Sequence, residues 1–172
     1  MIYLKRYRTP EEFSDLVMVS DGTYLTGLYF EGSEDEKDIN GEEKDLPVFT
    51  DTIRWLDIYF QGKQPDFRPE YRTDAASSFR KEVWKLLEEI PYGKTVTYGE
   101  LAEKIAERKG IRKMSAQAVG NAVGANPICI IVPCHRVMGK NGNLTGYGGG
   151  LKNKVALLKL EGIDTKTFHY PE

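Results

Sequence analysis

The chain has 172 residues, 40% hydrophobic and 29% charged, the balance of an ordinary globular protein with one core or two small domains sharing an interface. No apolar run is long enough to span a bilayer, and the start, Met1 to Arg6, carries no apolar signal core, so a cytoplasmic location and no membrane partner are expected. The formal net charge of −2 hides an asymmetry: residues 1–76 hold 9 Lys and Arg against 17 Asp and Glu, and residues 77–160 hold 14 against 6, which fits either solvated faces or a polyanionic partner for the basic half.

In chain order, the stretch from Tyr24 to Phe30 is rich in strand formers and follows an Asp21-Gly22 turn signal. Residues 31–45 are acidic and polar and read as a loop. Phe49, Thr52, Ile53, Leu56 and Phe60 recur at helical spacing, and the helix they predict stops at Gln61-Gly62. Residues 62–74, with Pro65 and Pro69, read as a linker. The expected division is therefore an acidic N-terminal α/β domain with linker over 1–76 and a second domain over 77–172.

Ser77 or Ser78 can cap a helix carrying Phe79, Val83, Leu86, Leu87 and Ile90 on one side, and Pro91-Tyr92-Gly93 breaks it. Thr97 and Glu100 form a capping-box pattern for a helix to about Glu107. A basic turn over 108–113 follows, and Ser115 caps a second helix ending near Gly124. Two short helices joined by a turn resemble a helix-turn-helix. The second helix is small all round, with Ala116, Ala118, Gly120, Ala122 and Gly124. It can come very close to another surface, either a neighbouring helix or a nucleic-acid groove.

The segment Ile130-Ile131-Val132-Pro133-Cys134-His135-Arg136 carries the chemistry. It reads as a buried strand stopped by a proline that has no N–H to donate, with a thiol, an imidazole and a guanidinium directly after it. An ordinary thiol is only a few per cent thiolate at neutral pH, so a nucleophilic Cys134 needs activation, and His135 is the base to hand. On an extended segment the two side chains point apart. The other cysteine, Cys129, reads as a core thiol. Two cysteines and two histidines fit neither a disulfide framework nor a zinc site. Gly146 to Gly150 is a glycine-rich loop that lets a ligand approach but lacks the spacing of a phosphate cradle. A last helix over 152–160 turns Val155, Leu158 and Leu151 inward.

Asn126 to Val137, followed by Gly146-Tyr147-Gly148-Gly149-Gly150-Leu151, resembles the O6-alkylguanine-DNA alkyltransferases over residues 77 to 163. The resemblance implies an α/β N-terminal domain beside a mainly helical C-terminal domain with a helix-turn-helix and a short active-site strand. It implies single-turnover transfer of an alkyl group from O6-alkylguanine in duplex DNA, extending to O4-alkylthymine, onto Cys134, by a monomer without metal or organic cofactor. By the same resemblance, His135 and Glu161 handle the thiol proton through a water, and Tyr98 assists the leaving guanine. Asn126 ties the helix-turn-helix to the active-site strand, Tyr147 lines the alkyl pocket, and Val137 and Gly148 read the flipped base. The second helix, with Ala116, Gln117, Gly120 and Asn121, enters the minor groove. Apart from the resemblance, Lys104, Arg108, Lys109, Arg112 and Lys113 read either as a solvated face or, by their place in and beside the turn, as phosphate contacts. The family often has an arginine finger where this chain has Gln117. The rival readings are a helix-turn-helix damage sensor without chemistry and a cysteine hydrolase.

Overall fold

The computed structural model describes residues 1–73 and 76–171. The N-terminal half is a four-stranded sheet of β1 (Tyr3–Tyr7), β2 (Leu16–Ser20), β3 (Leu25–Phe30) and β4 (Glu42–Glu43), followed by α1 (Pro47–Phe60). The spatial order is β3-β2-β1-β4, antiparallel except where β4 lies parallel to β1. Asp21-Gly22 makes the turn between β2 and β3, with the Asp21 carboxylate accepting from the backbone N–H groups of Thr23 and Tyr24. One face of the sheet presents Leu16, Met18, Leu25, Leu28 and Phe30 to the main core. Val17, Val19 and Tyr29 on the other face form a small cluster with Leu4 and Ile39.

The linker is tied along the sheet edge. Leu25 N–H donates to Glu70 O and Arg72 N–H returns to Leu25 O, at 2.9 and 3.0 Å. Its expected end at Asp74 lies outside the described residues.

The C-terminal half holds α2 (Ser78–Glu88), β5 (Val96–Thr97), α3 (Tyr98–Lys109), α4 (Ala116–Gly124), β6 (Val137–Met138) and α5 (Leu151–Leu160). Ser77, Thr97 and Ser115 cap α2, α3 and α4 through their hydroxyls, and the Thr97–Glu100 capping box is complete. Gly110, at φ 66, closes α3 in the left-handed region, so that the helix ends at Lys109, two residues past the expected end. Along α5, the expected inward residues Leu151 and Val155 are only half-buried, while Asn153 and Lys154 are buried beside Leu157 and Leu158. A single core cluster runs through both halves, from Phe30, Trp55 and Tyr59 to Trp84, Val123, Ile128 and Leu157.

The apolar run ahead of Pro133 is buried, but it is not a strand. It makes one bridge to the sheet, at Leu28 with Ile128, and then coils through tight turns, with Ile130 at φ 66. Ile131 N–H reaches back to Cys129 O and Val132 N–H to Ile128 O. The Asn126 side chain supplies what a ladder would have: its amide donates to Val132 O at 2.8 Å and its carbonyl accepts Ile128 N–H at 3.0 Å. The short strand of this region is β6, which follows the reactive triplet and pairs in parallel with β5.

Candidate active site

Cys134, His135 and Arg136 form one turn of 3₁₀ helix rather than an extended segment. That turn sends the imidazole inward, fully buried, and leaves Cys134 partly accessible. Behind the imidazole stands Glu161, delivered by the end of α5 and 6% exposed. Its Oε2 lies 2.6 Å from His135 Nε2, accepts the Tyr59 hydroxyl at 2.6 Å and accepts Arg136 Nη2 at 3.2 Å. Its Oε1 accepts Arg136 Nε and the Gly93 N–H, both at 2.9 Å. The third guanidinium nitrogen donates to Ile90 O at 2.8 Å, so Arg136 locks the end of α2 to the end of α5.

The electrostatics follow from this packing. Burial pushes the Glu161 carboxyl up, but the donors from His135 and Arg136 outweigh it and hold the group at about 2. Burial lowers His135 below its ordinary value, which makes the imidazole neutral near pH 7. Its Nε2 then carries the hydrogen toward Glu161. Nδ1 is left as a bare acceptor, buried and without a hydrogen bond among the described residues. Burial also dominates at Cys134 and pushes the thiol up to about 11; Asn126, Lys154 and Tyr147 pull it down and Asp35 pushes it further up. The thiol is therefore protonated at rest. It must lose its proton as it reacts, and a neutral imidazole with a free Nδ1 is the base suited to take it.

The other expected site residues gather around the thiol or on one helix face. Asn126 and Tyr147 lie beside it, and the Tyr147 hydroxyl is buried. Tyr98, at the start of α3, pairs its hydroxyl with Thr145 Oγ1 at 3.3 Å, and burial keeps the phenol protonated. A Cβ on Gly120 of α4 would meet the Tyr98 ring at 3.7 Å, so the second helix runs directly past this tyrosine. Val137 is fully buried, and its carbonyl already accepts the Lys154 ammonium at 2.8 Å. Ala116, Gln117 and Asn121 are exposed on α4, as are Arg112 and Lys113 in the turn before it. Arg108 and Lys109 instead face the acidic residues Glu89 and Glu82 near α2. Cys129 is 2% exposed, with its thiol pushed well up by burial.

Three site residues are absent from the sequence reading. Tyr59 reaches Glu161 from α1, across the junction of the two halves. Lys154 is fully buried, donates to Val137 O and Leu144 O at 2.8 and 2.7 Å, and is pushed down to about 8 by burial. It falls three residues after Leu151 and four before Leu158, and a lysine on that inward stripe is a legible signal. Asp35 comes from the acidic loop: its N–H donates to Gly148 O at 3.2 Å, and its carboxylate fills the space a Cβ on Gly148 would need. Because that charge opposes the thiolate, Asp35→Asn should make Cys134 more acidic. Iodoacetamide labelling of Cys134 near pH 8 is expected to quicken about twofold, and an unchanged labelling rate would remove Asp35 from the account.

Residues 78–163 match the family profile "6-O-methylguanine DNA methyltransferase, DNA binding domain", and residues 9–71 match the profile of its ribonuclease-like domain. A methylated-DNA–protein-cysteine methyltransferase of Haemophilus influenzae is 41% identical over 155 residues, covering 90% of this chain and 84% of the relative. The protein of the same name from Mycobacterium leprae is 38% identical, covering 94% and 93%. Among solved structures, Mycobacterium tuberculosis OGT in complex with DNA superposes with a TM-score of 0.78 at 38% identity, covering 92% of both chains. The O6-methylguanine-DNA methyltransferase of Pyrococcus kodakaraensis gives 0.64 at 25% identity, covering 95% and 100%.

Proposed function

Since the chain belongs to the 6-O-methylguanine DNA methyltransferase family, we propose that Cys134 is its alkyl acceptor, with His135 as base, Glu161 behind it and Tyr98 as acid. The activity is direct DNA repair, transfer of an alkyl group from O6-alkylguanine in DNA to a cysteine of the protein itself. The observation that carries the residue assignment is the buried imidazole next to Cys134, with Nε2 2.6 Å from a carboxylate oxygen and Nδ1 without a hydrogen bond among the described residues. A sensor without chemistry has no use for that arrangement. A hydrolase needs a route to release the acyl or alkyl group, whereas a thioether on Cys134 is final.

In the reaction, the lesion leaves the base stack, because a thiol packed beside Asn126 and Tyr147 cannot be reached from within a duplex. The sulfur attacks the alkyl carbon, the carbon–O6 bond breaks, and the thiol proton passes to His135 Nδ1 through a bridging water. The electron pair left on the guanine is neutralised by a proton from the Tyr98 hydroxyl. Glu161 keeps its charge and stabilises the imidazolium that forms. Asn126 and Tyr147 shape the pocket, and Val137 and Gly148 face the base edge. The exposed face of α4, with Ala116, Gln117, Gly120 and Asn121, lies in the minor groove, where Gln117 fills the gap left by the flipped base. Arg112 and Lys113 contact phosphates, and the chain acts as a monomer that reacts once.

Intact-mass measurement after mixing with a duplex containing O6-methylguanine tests the assignment. One methyl per chain, mapped to Cys134, is expected; turnover without an adduct would overturn it. Binding should weaken as salt rises, and Arg112→Ala with Lys113→Ala should flatten the log–log salt slope by about two, since each phosphate contact contributes roughly one. Gln117→Arg adds a charge on the groove face, and roughly tenfold tighter binding is expected at low salt. Equal affinity across titrations of damaged duplex would place Gln117 off the DNA.

A further inference from the structure

We infer that Tyr59, contributed by the N-terminal half, is a positioning residue of the proton relay: its hydroxyl holds the carboxylate behind His135 and sets how readily the imidazole accepts the thiol proton. This deepens the acceptor reading of Cys134 and rests on it. The Tyr59 hydroxyl donates to Glu161 Oε2 at 2.6 Å, the same oxygen that takes His135 Nε2 at 2.6 Å. The phenol oxygen lies 3.5 Å from that ring nitrogen.

The ring has no freedom to turn away. Tyr59 is fully buried, stacks on Trp55 with centroids 5.3 Å apart, and meets Phe60 and Tyr92 edge-on at 5.5 and 6.1 Å. Burial and the adjacent carboxylate hold its proton in place, so it donates throughout the working range. Short hydrogen bonds to a carboxylate are among the stronger ones in proteins, and packing alone does not require one here.

Each donor on Oε2 draws charge from the atom that anchors the His135 Nε2–H. The other titratable and charged groups around the imidazole are Arg136, which also sits on Glu161, Lys154 from α5, Cys134 beside it and Tyr92 behind. None of these shares Oε2 except Arg136, whose hydrogen bond is longer at 3.2 Å. Without the tyrosine hydroxyl, Oε2 pulls harder on the imidazole, and the ring becomes more basic. It is then already protonated, and useless as a base, up to a higher pH.

The test is single-turnover methyl transfer from an O6-methylguanine duplex, followed from pH 5 to 9 for the wild-type chain and Tyr59→Phe, with DNA affinity measured alongside. The acid limb of the pH–rate profile should move up by about half a pH unit, slowing transfer roughly threefold below it, while the alkaline plateau and the affinity stay as they were. Site-specific 3-fluorotyrosine at position 59 is a stronger donor of nearly the same shape, keeps the fold should the phenylalanine variant lose it, and should move the limb the other way. Rates changed equally at every pH, or not changed by either replacement, would overturn the role of Tyr59 while leaving Cys134 as acceptor. A wild-type chain that forms no adduct would instead remove the acceptor reading on which this one stands.

Discussion

Cys134→Ala is expected to abolish methyl transfer completely while leaving affinity for damaged duplex within about twofold of the wild-type value. No second sulfur can substitute. Cys129, the other cysteine, sits in the core, and burial holds its thiol firmly protonated. His135 remains, but its ring is fully buried, out of reach of the alkyl carbon. Binding should survive because the groups proposed to hold DNA lie elsewhere: Gln117 and Asn121 on the exposed face of α4, and Arg112 and Lys113 in the preceding turn. Loss of one sulfur from a half-buried position in a 3₁₀ turn costs about 1 kcal/mol or less, so the variant should melt close to the wild type. Intact mass after a saturating dose of methylated duplex, paired with fluorescence anisotropy, reads both quantities. A residual adduct would mean that another side chain accepts the alkyl group.

What the sequence disclosed tracks the range of the interactions. The three hydroxyl caps and the Thr97–Glu100 box were legible because each is closed within four residues. The Cys134-His135-Arg136 triplet and the small residues of α4 were legible as a motif and a resemblance. Strands β1 and β2 were not. All five residues of β2 are buried, so Leu16 to Ser20 lacks the alternation that marks a half-buried strand. The run before Pro133 misled for a related reason: apolar composition reports burial, and nothing in it announces the left-handed Ile130 or the Asn126 amide that replaces a ladder. Tyr59 and Asp35 were invisible because their partners, Glu161 and Gly148, stand more than a hundred residues away. How far burial raises the thiol was not legible either, because local sequence does not show how dry a site is.

Glu161→Gln should be the most damaging single change to the site after loss of the sulfur itself, costing about 3–5 kcal/mol of stability and on the order of 10²–10⁴ in transfer rate. The carboxylate receives donors from His135, Tyr59, Gly93 and twice from Arg136, and it has no hydrogen to offer any of them. An amide nitrogen in place of Oε1 would confront Arg136 Nε and the Gly93 N–H. In place of Oε2 it would confront His135, Tyr59 and Arg136 Nη2. Either orientation sets donors against donors and strips the 5%-exposed Arg136 of its counter-charge. The effect also has a pH dependence of fixed sign. A carboxyl held at about 2 in the fold, against 4.5 ordinarily, adds stability that is fully present above pH 4.5 and drains away as pH falls toward 2. His135, held below its ordinary 6.5, reinforces the trend, because the unfolded chain takes up that proton first. The wild-type melting temperature should therefore fall steadily on acidification below about pH 6, and the glutamine variant, already lower at pH 7, should lack the step between pH 4.5 and 2. Parallel melting curves for the two proteins down to pH 3 would mean that Glu161 is not the charge on which this half of the molecule is fastened, and a transfer rate within threefold of wild type would mean that the imidazole finds its orientation without it.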